Sequence, residues 1–130
     1  MSDNKVYVAS GFYFDSMEGD NGIVWENGKM KHRLEGGGRP KSIYAEGNNV
    51  YVVGDKLNNG KFIPMYWENG KAKTLGTNAD DFNYVTGSKN KIYVAGTEIV
   101  NGKRVATVWI NGVAHYLSNN PSIALFVSVK

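Results

Sequence analysis

The chain has 130 residues, enough for one domain with a modest core, and its 42% hydrophobic and 21% charged content is that of an ordinary globular protein. It carries no Cys, which excludes disulfides, thiolate metal sites and thiol catalysis, and no apolar run approaches ~20 residues, which excludes a transmembrane helix. The net charge of +3 is small and scattered and gives no electrostatic footprint for nucleic acid.

In chain order, Met1-Ser2-Asp3-Asn4-Lys5 has no apolar stretch behind it, so no signal peptide is expected and a cytoplasmic location is favoured. Val6-Tyr7-Val8-Ala9 reads as a β-strand, residues 15–21 as a loop insertion, and Trp25-Glu26-Asn27-Gly28 as a strand running into a hairpin turn. Leu34 closes this first unit. The loop Glu35-Gly36-Gly37-Gly38-Arg39-Pro40 has no helix after it, so its glycines are no phosphate cradle. Strands follow at Ser42–Gly47 and Val50–Gly54, then a turn at Asn58-Asn59-Gly60, a strand at Phe62–Glu68, the Asn69-Gly70 turn and a strand at Lys71–Leu75. A loop with Asn78, Asp80 and Asp81 leads to strands at Asn83–Gly87 and Ile92–Gly96. The third Trp-x-Asn-Gly lies at 109–112, the third closing Leu at Leu117, a polar loop at Ser118-Asn119-Asn120-Pro121 and an apolar tail at Ile123–Val129.

A repeat organises these elements. Trp25, Trp67 and Trp109 are spaced by 42 residues both times, and Tyr7, Tyr51 and Tyr93 precede them by 18, 16 and 16. The units are about 5–34, about 42–75 and about 82–117, with a closing strand at about 122–130. No stretch has a helical apolar period, so the fold class is all-β. Four short strands per unit of about 42 residues is the signature of a β-propeller blade. With its Val-Tyr-Val-Ala-Gly strands, Trp-x-Asn-Gly turns and closing Leu, the chain resembles the bacterial propeller-type repeat proteins over nearly all its length. The resemblance implies a fold and no activity. The Gly-His and Trp-Asp signatures of WD-repeat propellers are absent.

The phase of the repeat then predicts assembly. The first unit has no strand equivalent to Ser42–Gly47, while the tail carries Phe126, 42 residues after Tyr84, as an inner strand without a blade. Sheets packed ~10 Å apart do not close a ring of three. A homodimer, each tail completing the first blade of its partner, gives six blades and covers an apolar edge that would otherwise aggregate. The rival fold is a monomeric β-trefoil, which also has three repeats of four strands.

The repeated Trp25, Trp67 and Trp109, with Tyr7, Tyr51 and Tyr93, are expected to pack between blades. His32 and His115 lie on equivalent outer strands without a neighbouring acid, and read as packed or solvated rather than metal ligands. No Ser sits in a nucleophile turn. Asp80, Asp81, Asn78, Arg39, Asn119 and Asn120 fall in loops expected on one face, and are the candidates for ligand contact. The expected function is a non-enzymatic, self-assembling scaffold or binding module without metal or cofactor. Its partner is a second copy of itself, with a glycan or small ligand possible and neither nucleic acid nor membrane. The alternatives are a carbohydrate-binding module using the loop face and, third, a hydrolase using the loop carboxylates.

Overall fold

The computed structural model describes residues 5–11, 22–75, 78–118, 120–122 and 127–128. These form eleven strands: β1 (Tyr7–Ser10), β2 (Ile23–Glu26), β3 (Lys29–Arg33), β4 (Arg39–Glu46), β5 (Asn49–Asn58), β6 (Lys61–Glu68), β7 (Lys71–Lys73), β8 (Ala79–Ser88), β9 (Lys91–Val100), β10 (Lys103–Ile110) and β11 (Val113–Tyr116). The fold is all-β, with three antiparallel sheets ordered β1-β2-β3, β4-β5-β6-β7 and β8-β9-β10-β11. Each sheet is a meander of strands consecutive in sequence.

The Trp-x-Asn-Gly motif builds these meanders. In all three copies both turn residues have positive φ, from 49° to 52° at Asn27, Asn69 and Asn111 and from 82° to 84° at Gly28, Gly70 and Gly112. That is the type I′ hairpin geometry that Asn-Gly favours. The Asn also reaches across the sheet. Its Oδ1 accepts the backbone N–H of Val6, Val50 or Ile92 at 2.8 Å, and its own N–H donates back to the same residue's carbonyl at 2.8–2.9 Å. One residue type thus sets the turn and pins the start of the Val-Tyr-Val strand, which is why the two motifs recur together.

Strand alternation assigns the faces. Val52 pairs with Trp67, and Val53 with Tyr66, so the two pairs point to opposite sides of the second sheet. Val50, Val52 and Trp67 form one core with Val24 and Leu34 of the first sheet. Val53 and Tyr66 form another with Phe82, Val85, Val94 and Trp109 of the third. The Phe82 ring meets Trp109 edge-on at 5.0 Å, a favourable aromatic geometry. Trp67 and Trp109 therefore each pack their own sheet onto the preceding one.

The inner strands differ from the sequence reading. Arg39 and Pro40 belong to β4, and Ala79 to Asp81 belong to β8, so Arg39, Asp80 and Asp81 sit on strands and not in loops. The reason is a bulge in each strand, between Pro40 and Ser42 and between Ala79 and Asp81, which lets pairing with β5 and β9 continue past the irregular segment. Asn119 and most of the apolar tail, residues 123–126 and 129–130, lie outside the described residues.

Candidate functional site

The strand ends that carry Arg39 and Asp81 gather the charges expected from sequence. β4 and β8 lie side by side, tied by the Val85 N–H donating to Ser42 Oγ at 3.0 Å. Arg39 lies opposite Asp55 in the β4–β5 register, and its Nε and Nη2 donate to the two Asp55 carboxylate oxygens at 2.7 and 2.9 Å. Asp55 is 6% exposed, so this bidentate pairing compensates a desolvated charge. Lys41 Nζ stands 3.4 Å from the same carboxylate and donates to Asn83 Oδ1 of the third sheet at 3.4 Å. Asn83 Nδ2 donates to Asp81 at 2.9 Å, and Arg104 binds Asp81 at 3.0 Å and Asp80 at 2.8 Å. The result is one continuous polar chain across two sheets.

The repeat explains its composition. Asp81 follows Arg39 by 42 residues, Asn83 follows Lys41, and Arg104 follows Phe62. The Arg39 guanidinium lies 4.0 Å over the Phe62 ring, while at the equivalent place Asp81 meets Arg104. The same positions are in contact in both sheets, with different chemistry.

The structure thus joins Arg39, Asp80 and Asp81 in one network. It leaves Asn78 exposed, held by its carbonyl accepting the Ile99 N–H at 2.9 Å. Asn120 is also exposed, its N–H donating to Ser118 Oγ at 3.0 Å. Asp80 and Asp81 share one guanidinium rather than facing each other across free space. Among the described residues no three His, Asp or Glu side chains gather as a metal ion would require. Sequence reasoning missed Lys41, Asn83 and Arg104. Stepping 42 residues from Arg39, Lys41 and Phe62 would have found two of them, Asn83 and Arg104.

His32 is half-buried, and its Nε2 has no hydrogen-bond partner among the described residues. Burial, followed by the nearby Lys31 charge, pushes its pKa below the ordinary value of 6.5. The folded chain therefore resists a proton that the unfolded chain accepts below about pH 6.5, and stability falls as pH drops through that region. Urea unfolding at pH 7 and pH 5.5 should show this loss, and His32→Gln should shrink it. An unchanged pH slope in the variant would show that His32 is not the group responsible.

Comparison with protein-family models, with curated proteins and with solved structures found no match.

Proposed function

We propose that the chain is a non-enzymatic, self-assembling β-propeller module in which each sheet is a blade and a second copy completes a six-bladed ring. The carrying observation is an inequality among equivalent residues. Val52 and Val94 are each 1% exposed, and Trp67 and Trp109 are 0% and 1% exposed. Their counterparts in the first sheet are Val8, 49% exposed, and Trp25, half-buried. The face that packs onto a preceding sheet in the second and third repeats is open in the first. An exposed apolar face of this kind on a folded chain fits an interaction surface.

The other end of the stack offers a complement. Val127 packs on Tyr84, Ala95 and Ala106 of the third sheet. Val127 follows Val85 by 42 residues and Ala95 follows Val53 by 42, so Val127 lies on the third sheet as Val85 of β8 lies on the second. Ser122 is held on the same sheet, with its N–H donating to the Arg104 carbonyl at 2.8 Å and its Oγ accepting the Ala106 N–H at 2.9 Å. The sequential meander of every sheet also favours blades over a trefoil barrel, which would pair strands from different repeats.

One detail constrains the exchanged strand. Gly54 and Gly96 lie where the bulged inner strands press closest, but the first sheet has Ser10, whose Oγ accepts the Trp25 indole N–H at 2.7 Å. A partner strand beside β1 therefore pairs without that close approach.

Light scattering on a size-exclusion column tests the reading. Twice the chain mass is expected. Val8→Asp, a change at an exposed site, and deletion of residues 122–130 should each abolish the dimer. A monomeric wild type overturns the proposal, as does a Val8→Asp chain that keeps the dimer mass.

A further inference from the structure

The third Trp lines a cleft. It lies between the second and third sheets, at the strand ends opposite the charged network, and holds about 380 Å³. That is within the ~300–1,000 Å³ range of small-molecule sites, at its lower end. Its walls include Tyr51, Tyr66, Glu68, Lys73, Trp109 and Asn111.

Comparison with the preceding interface shows why it is open. Between the first and second sheets Gly70 is buried; a Cβ there would stand 2.8 Å from the Arg33 carbonyl oxygen and 2.9 Å from His32 Cβ. The Gly70 carbonyl also accepts the Glu35 N–H at 2.8 Å, which seals the edge. At the equivalent Gly112 the nearest atom to such a Cβ is Leu75 Cδ2, at 3.9 Å. The two sheets stand apart there, and Tyr66 occupies the position that Val24 has in the first sheet.

The chemistry of the walls selects a ligand class. Tyr66 is 6% exposed and lines the cleft. Burial, with the Glu68 charge second, pushes its pKa far above the ordinary phenol value, so it stays a protonated donor. The Trp109 indole N–H is buried without an acceptor among the described residues, whereas that of Trp67 donates to the Glu35 carbonyl at 2.9 Å. Buried polar groups left unmatched are uncommon and call for a partner. Glu68 and Lys73 pair at 3.2 Å, so the charged groups of the cleft cancel. Asn111 uses its Oδ1 for Ile92 and keeps its amide NH₂. Aromatic rings, amide and hydroxyl donors and a carboxylate acceptor, without net charge, match a ring that carries several hydroxyl groups.

We infer that this cleft binds one small uncharged polyhydroxylated ligand, a monosaccharide or the end residue of a glycan. The site needs only the second and third sheets of one chain, so it does not depend on ring closure. It also differs from the loop-face carbohydrate site expected from sequence, which lies at the other strand ends.

Nitrogen–proton correlation spectra of the labelled chain test it, because its three indole N–H groups give three separable signals. The probes are the methyl glycosides of glucose, galactose, mannose and N-acetylglucosamine, each to about 50 mM, which detects millimolar affinity. At least one should shift the Trp109 signal and leave Trp25 and Trp67 in place. Tyr66→Phe, which keeps the packed ring, should weaken that binding about three- to tenfold, the effect of one hydrogen bond. Thr74→Trp, at an exposed position on the rim, should block it. No shift with any glycoside overturns the inference, as does a Trp109 shift with acetate or phosphate alone. Equal movement of all three indoles, or full affinity in both variants, overturns it too.

Discussion

A Gly54→Ala chain should lose about 3 kcal/mol or more of stability, read as a fall in the urea midpoint at unchanged slope. An ideal Cβ at Gly54 lies 1.9 Å from the Arg39 carbonyl oxygen and 2.8 Å from its carbonyl carbon. Both are backbone atoms of the paired inner strand, so no side-chain rotation relieves the overlap. The φ of Gly54 is not in the left-handed region, and the cost is one of space alone. Gly96→Ala repeats the situation, with the Asp81 carbonyl oxygen at 2.1 Å. The informative control is Gly60→Ala. There the backbone is left-handed, at φ 80°, but nothing lies within 4 Å. Only local strain should appear, roughly 1–2 kcal/mol. Equal losses at Gly54 and Gly60 would show that the bulge does not hold the inner strand as tightly as drawn. The same comparison explains the motif itself. Glycine follows Val-Tyr-Val-Val and Ile-Tyr-Val-Ala because a bulged strand crosses there, while the first sheet tolerates Ser10.

The three Trp residues should respond unequally to the same truncation. Trp67→Ala removes a side chain that is 0% exposed and deletes the indole donor to the Glu35 carbonyl. A loss of about 3–5 kcal/mol is expected, a large share of the ~5–15 kcal/mol that holds a domain together. Much of that chain should be unfolded or aggregated at ambient temperature. Trp25→Ala should cost the isolated fold far less, since Trp25 is half-buried and its indole meets the hydroxyl of Ser10. Its effect should appear instead in assembly, as a loss of the dimer at protein concentrations where the wild type is paired. Chemical denaturation and light scattering on the same samples separate the two effects. If Trp25→Ala unfolds the chain as readily as Trp67→Ala, the open face is not an open face. If it leaves both stability and mass unchanged, Trp25 plays no part in assembly.

Much of the local structure is set by residues close in the chain. Asn-Gly at 27–28, 69–70 and 111–112 dictates type I′ turns through positive φ at both positions. The β-branched and aromatic runs beside them dictate strands, and a hairpin fixes register within a few residues of its turn. The repeat of 42 residues then forces every unit to solve the same problem in the same way. Sequence alone therefore determined the all-β class, the hairpin turns and the 42-residue repeat, whereas the trefoil rival left the strand order of each sheet for the tertiary structure to decide. What stands opposite a residue in another sheet is a different matter, because spacing along the chain carries no record of it. Trp67, Trp109 and Trp25 have the same local motif, and their burial differs only because the first sheet has no preceding sheet among the described residues. Asp80 and Asp81 look like a free carboxylate pair until Arg104, from β10, lies across both. Arg39 looks like a loop cation until the bulge carries it into β4 opposite Asp55. The cleft beside Tyr66 exists because the second and third sheets stand apart at Gly112, whereas the first and second close at Gly70, although both glycines sit in equivalent Asn-Gly turns. Short-range steric preference wrote the strands and turns into the sequence; packing between sheets, which depends on every side chain in the interface at once, decided which faces are filled, which charges are paired and where space is left.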